Sequence, residues 1–152
     1  MIVMGIDIGF NHCGLAIFVN KEYFTSENYV VEKDDTEEIK YEKFYDFIIS
    51  SIESHKPDLI VCERAFLGPN RRVFGLISEL SGIIKGICFE RDISFSSVAT
   101  STYRSKLGIP NKKLAAKELV KSLYPHVEID DESDIPDAIC LAKYGSELIW
   151  EI

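Results

Sequence analysis

Four acidic residues carry the chemistry this sequence could perform: Asp7, Glu63, Asp134 and Asp137. Asp7 interrupts the apolar run 1–8 near its end, and Glu63 closes another at 59–62. Asp134 and Asp137 stand three apart at the start of an apolar, helix-like stretch. An ionised carboxylate in an apolar element is costly unless it is paired or binds a cation. Four of them at the ends of core elements point to a shared divalent-cation site. Hard oxygen donors suit Mg²⁺ or Mn²⁺ better than zinc. Two such ions about 4 Å apart activate water and stabilise a leaving oxygen in phosphodiester hydrolysis. Each acid also has an ordinary alternative. Asp134 and Asp137 read equally as helix-start acids, and Glu63 could pair with Arg64 or Arg72. Asp7 has no cation near it in sequence.

The elements that must position these acids follow from apolar periodicity. Residues 2–8, 14–19 and 23–31 read as three strands in a meander, the last two joined by a tight turn at Asn20-Lys21-Glu22. An acidic linker leads to a helix in which Ile39, Phe44, Phe47, Ile48 and Ile52 recur near helical spacing, ended by Pro57. Residues 58–63 have the short apolar pattern of a buried parallel strand. A long helix is predicted over 72–91, a fifth strand over 94–98, then helices over 100–107, 112–123 and 134–149. Ser133 is placed to N-cap the last helix, with Pro136 in its first turn. The order gives an α/β fold, a mixed sheet flanked by helices. If strands one and four are neighbours, Asp7 and Glu63 face one another, and Asp134 and Asp137 share one helical face.

With 152 residues the chain makes one domain, 1–152, and no internal repeat divides it. Its 46% hydrophobic and 28% charged residues are those of a globular protein, and no apolar run reaches membrane-spanning length. The N-terminus reads as a core strand without signal-peptide features, so an intracellular, cytoplasmic location is expected. Cys13, Cys62, Cys88 and Cys140 are scattered in apolar contexts and read as buried free thiols. The three histidines form no cluster. His55 and His126 are expected at the surface, and His12 in the loop after Asp7 is not assigned to the site.

A net charge of −8 argues against a generic polyanion binder. The charge is nevertheless segregated: residues 100–125 hold six basic side chains and one acid, a local +5. On charge alone that stretch reads as a solvated helix face.

The string Gly5-Ile6-Asp7-Ile8-Gly9 with Gly14-Leu15-Ala16-Ile17, then Leu59-Ile60-Val61-Cys62-Glu63, then Asp134-Ile135-Pro136-Asp137-Ala138, resembles the RuvC-type Holliday-junction resolvases. These belong to the ribonuclease H-like nuclease superfamily, and the resemblance spans essentially the whole chain. It implies a ribonuclease H-like mixed five-stranded sheet, three antiparallel strands then two parallel, flanked by helices. It also implies an endonuclease that resolves four-way DNA junctions by paired nicks, with two Mg²⁺ or Mn²⁺ ions per site. Asp7, Glu63, Asp134 and Asp137 match the family's metal-binding catalytic carboxylates, Asp7 bridging the ions.

Phe66 matches an aromatic that stacks on bases opened at the junction centre in bacterial relatives. Arg71, Arg72, Arg104, Lys106, Lys112 and Lys113 become candidates for DNA contact, with the basic stretch as phosphate-positioning surface. The helix over 72–91 corresponds to the family's dimer-forming helix, so a homodimer on branched DNA is expected. The acidity and shortness of the chain suit a phage or mobile-element version. Three alternatives stand beside this reading: a nuclease for flaps, forks or RNA–DNA hybrids, a non-catalytic nucleic-acid-binding module, and an actin-like phosphotransferase. Retention of all four acids weighs against the second, and the length leaves no room for the third.

Overall fold

The computed structural model describes residues 1–112, 114–130 and 133–149. Strands β1 (Ile2–Asp7), β2 (His12–Val19) and β3 (Glu22–Val30) form the expected antiparallel meander. The turn between β2 and β3 is as tight as its sequence suggests, with Asn20 and Lys21 both at positive φ (50° and 71°). That is the hand of turn matching the twist of paired strands. Helix α1 (Glu37–His55) starts on Thr36, whose hydroxyl accepts the Ile39 N–H, and stops at Lys56 in a left-handed conformation just before Pro57. Then follow β4 (Leu59–Glu63), α2 (Arg71–Glu90), β5 (Ser94–Val98), α3 (Thr100–Lys106), α4 (Ala115–Leu123) and α5 (Ile135–Tyr144).

The sheet order is β3-β2-β1-β4-β5, with β4 parallel to both β1 and β5. This is the mixed five-stranded sheet expected from the sequence. Alternation along the strands divides the core in two. Met4, Ile6, Leu15, Ile17, Ile60 and Cys62 pack on α1 and α2, while Val3, Ala16, Phe18, Leu59 and Val61 pack on α3, α4 and α5. All four cysteines are buried free thiols. Among the described residues no helix is long and apolar enough to cross a membrane.

Two glycines let α5 lie directly against the sheet. A Cβ on Gly5 would stand 2.3 Å from the Ala138 carbonyl oxygen and 2.4 Å from the Ala142 nitrogen. One on Gly14 would stand 2.7 Å from Asp134 Cβ. With no side chain at either position, the start of α5 comes down onto the ends of β1 and β2.

Helix boundaries depart from the sequence reading in three places. The last helix does not run unbroken to 149: α5 ends at Tyr144 and continues as a π-helical turn, Gly145–Ile149, where Ser146 Oγ donates back to the Lys143 carbonyl at 3.0 Å. Helix α4 begins at Ala115 rather than 112, because the Lys112 carbonyl is taken by Ala115 N–H and by Arg104. Ser133 is not the N-cap of α5. Asp134 occupies that position in helical geometry, and Ser133 Oγ accepts the Ile135 N–H at 3.1 Å.

Candidate active site

Asp7 and Glu63 end adjacent parallel strands. Ile6 registers with Cys62, so the next residue on each strand is the acid, and both lie on the sheet face that carries α5. Asp134 and Asp137 descend on that face from the start of α5, Asp134 into the room left by Gly14. The structure thus brings together the acids of three separate elements.

Their electrostatics follow from crowding. Burial raises the Asp7 pKa well above the ordinary 3.8, and Asp137, Asp134 and Glu63 each add repulsion. Asp7 also shares a side-chain hydrogen bond with Asp134. Glu63 is raised as well, burial outweighing the hydrogen bonds that favour its charge.

Internal donors hold Glu63 and one oxygen each of Asp134 and Asp137. Thr100 Oγ1 donates to Glu63, and Tyr103 Oη donates to Asp137 Oδ1 at 3.1 Å and lies 3.5 Å from Glu63 Oε2. Burial drives the Tyr103 hydroxyl far above its usual range, so it stays a proton donor. His12 Nδ1 stands 2.7 Å from Asp134 Oδ2. Glu63 does not take the arginine partners open to it in sequence. Arg64 donates to the Ser97 carbonyl and Arg72 pairs with Glu37, leaving neither for Glu63. Asp134 makes no side-chain cap to α5.

Arg104 departs from its expected role. It was a candidate for surface contact with phosphate, but it is 7% exposed. Its Nη2 donates to Asp137 Oδ1 at 3.0 Å and its Nη1 to the Lys112 carbonyl at 2.8 Å. A guanidinium buried against a carboxylate and a carbonyl is an internal strut. It ties the basic loop before α4 to the acids. Lys106 and Lys112 are exposed around it, and Lys113 lies outside the described residues. Arg71 and Arg72 are exposed at the start of α2.

Phe66 stands 82% exposed between two clefts that both reach Glu63. One, of about 200 Å³, runs past Asp7 toward Val73, Phe74 and Ile77; the other, of about 400 Å³, passes Thr100, Ser101 and Asn111. A third, of about 520 Å³, opens on the far side of the acids between His12, Lys117, Asp134 and Asp137.

Sequence reasoning missed three residues that touch the acids: His12, Thr100 and Tyr103. Their partners lie far along the chain, and only the strand order brings them together. Among the described residues no three His, Cys, Asp or Glu side chains stand close enough together to hold a metal ion as they are placed. The oxygen-only donors and their mutual repulsion nevertheless suit a hard divalent cation, which would relieve the charge that raises Asp7.

Comparison with known proteins bears on the fold and the family. No curated protein matches the sequence. Among solved structures, RuvC of Thermus thermophilus superposes with a TM-score of 0.79 at 15% identity, covering 96% of this chain and 93% of that one. Its complex with a Holliday junction substrate gives 0.81 at the same identity and coverage. The yeast mitochondrial Holliday junction resolvase gives 0.64 at 15% identity, covering 95% of this chain and 77% of that one. A Fowlpox virus resolvase gives 0.55 at 19%, covering 98% and 99%. At these identities the likeness establishes the shared fold. The family model described as "Crossover junction endodeoxyribonuclease RuvC" matches residues 3–143, and the chain belongs to that family of junction-cutting nucleases.

Proposed function

We propose that this chain is a Mg²⁺- or Mn²⁺-dependent endonuclease that resolves four-way DNA junctions by paired nicks, working as a homodimer. The observation that carries the reading is the convergence of Asp7, Glu63, Asp134 and Asp137 on one sheet face, where the Tyr103 hydroxyl reaches both Glu63 and Asp137 and the other three acids add to burial in raising Asp7. These four would hold the cations, which when bound supply the Lewis acidity that activates water and stabilises the leaving oxygen. Tyr103 and Thr100 orient Glu63 and Asp137, and Arg104 anchors Asp137 while fixing the basic loop. Lys106 and Lys112 then offer phosphate contacts beside the acids, and Arg71 and Arg72 offer them at the start of α2. Phe66, exposed between two clefts, is suited to stacking on an unpaired base. The Thermus RuvC and Fowlpox virus resolvase neighbours were solved with Holliday junctions, which supports the same substrate here.

The dimer reading has support on α2. Leu80, Ile84, Ile87 and Cys88 turn toward the core. The opposite face carries Gly75, Ser78, Gly82, Gly86 and Phe89 at helical spacing. A Cβ at any of the three glycines would meet nothing within 4 Å, and Phe89 is 88% exposed. Each glycine costs a helix about 1 kcal/mol relative to alanine, so three on one face suit the close approach of a second helix. A two-fold axis near Gly82 would set Phe89 of one protomer over Gly75 of its partner.

Incubating the purified protein with labelled four-way junction, flap and linear duplex, in Mg²⁺, Mn²⁺ or EDTA, tests the function. Paired junction nicks that disappear in EDTA are expected. Equal cutting of flap and junction would make it a general branched-DNA nuclease, and no cutting of any substrate would refute the enzymatic reading.

A further inference from the structure

His12 has a contact that nothing above explains. It opens β2 with its side chain 54% exposed, yet its Nδ1 lies 2.7 Å from Oδ2 of Asp134, itself only 12% exposed. The two residues are 122 positions apart, so the contact is a product of the fold. Helix-start chemistry does not account for Asp134, because its carboxylate caps nothing and Ser133 takes the Ile135 N–H. The carboxylate instead reaches two groups at once, the imidazole of His12 and the carboxyl of Asp7.

Gly14, two residues along on the same face of β2, admits the Asp134 backbone, whose carboxylate His12 then meets. Strand β2 therefore offers Asp134 a socket: a missing side chain for its backbone and a ring nitrogen for its carboxylate. A short acid at the first turn of a helix can otherwise adopt several rotamers, and only some of them face Asp7.

We propose that His12 is a positioning residue for Asp134. Its Nδ1–H donates to Oδ2 and holds the carboxylate in the orientation that meets Asp7, so that the two acids present one cation site. The proposal rests on reading the four acids as cation ligands, and it adds a partner that orients a ligand without binding the ion. Such outer partners typically hold 10–100-fold of metal affinity.

Calorimetric titration of Mn²⁺ into the DNA-free protein tests this, with a thermal melt of each metal-free variant. His12→Ala should bind Mn²⁺ about 10–100-fold more weakly than wild type while melting at the same temperature. His12→Asn, whose amide N–H can stand near the position of Nδ1, should bind within a few-fold of wild type. His12→Gln sets its amide one bond farther out and should behave like His12→Ala. Wild-type or tighter binding by His12→Ala would overturn the proposal, tighter binding meaning that the ring competes with the ion. Equal weakness of the Asn, Gln and Ala variants would also overturn it, by removing the role of Nδ1. Asp7→Asn separates this proposal from the reading beneath it. Binding lost in Asp7→Asn but retained in His12→Ala sinks the proposal alone, whereas no binding by wild type sinks both.

Discussion

Asp7 is the residue whose energetics and function conflict most directly. Burial and three neighbouring carboxylates raise its pKa, so the folded, metal-free chain retains a proton that the unfolded chain releases near the ordinary 3.8. Between that value and the folded one, the native state binds more protons than the unfolded state, and stability falls as pH rises through the window. Glu63 is shifted in the same direction and adds to the effect. Asp7→Asn removes the ionisable group and keeps nearly the same shape. In EDTA the variant should melt a few degrees above wild type near pH 8, with the gap narrowing as pH falls toward the ordinary carboxyl value of about 4. Mg²⁺ should raise the melting temperature of wild type and leave the variant unmoved. The variant should bind a junction and fail to nick it. A gap that does not change with pH, or a variant that still cuts in Mg²⁺, would show that Asp7 is not the crowded centre of the site.

At the scale of elements, α5 carries half of the acids, and its height above the sheet decides whether they reach the other two. Gly5 sets that height. A methyl there would press on backbone atoms of α5 at 2.3 and 2.4 Å, and backbone cannot turn aside as a side chain can. Gly5→Ala should therefore cost about 1–3 kcal/mol, read as a lower urea midpoint with an unchanged slope. A wild-type midpoint would mean that α5 is free to lift.

Much of this level was legible in the sequence. The strands around Asp7 and Glu63 announce themselves by apolar runs, and the strings around the four acids gave their order. Arg104 and His12 were not legible, for physical reasons. A cation in a basic, solvent-facing stretch reads as surface until α3 is seen to turn that one side chain inward onto Asp137. His12 looks like a loop residue because its partner arrives from the far end of the chain. The early end of α5 was hidden too, since apolar spacing continues through the π-helical turn that follows Tyr144.

At the scale of the whole molecule, a chain of net charge −8 must still hold a polyanion, and the exposed Lys106 and Lys112 give one copy a basic strip near its acids. Two copies related by a two-fold axis would offer two strips and two sites, matching the two-fold symmetry of a four-way junction with its pair of strands to cut. The glycine face of α2 makes this testable without touching the site. Among the described residues no atom beyond α2's own turn lies within 4 Å of a Cβ at Gly82, so Gly82→Leu should not harm the fold, and by helix propensity it should favour α2 by up to about 1 kcal/mol. Against a second helix packed at that glycine, the leucine would hold the backbones apart. Sedimentation at micromolar protein should find wild type dimeric and Gly82→Leu monomeric, with the variant's melting temperature showing that the chain itself remains folded. On a labelled junction the wild type should release paired, symmetric nicks, and the monomeric variant should leave singly nicked junctions or none. A Gly82→Leu protein that stays dimeric would remove the dimer from this face of α2. A wild type that sediments as a monomer yet makes paired nicks would remove the need for a preformed dimer.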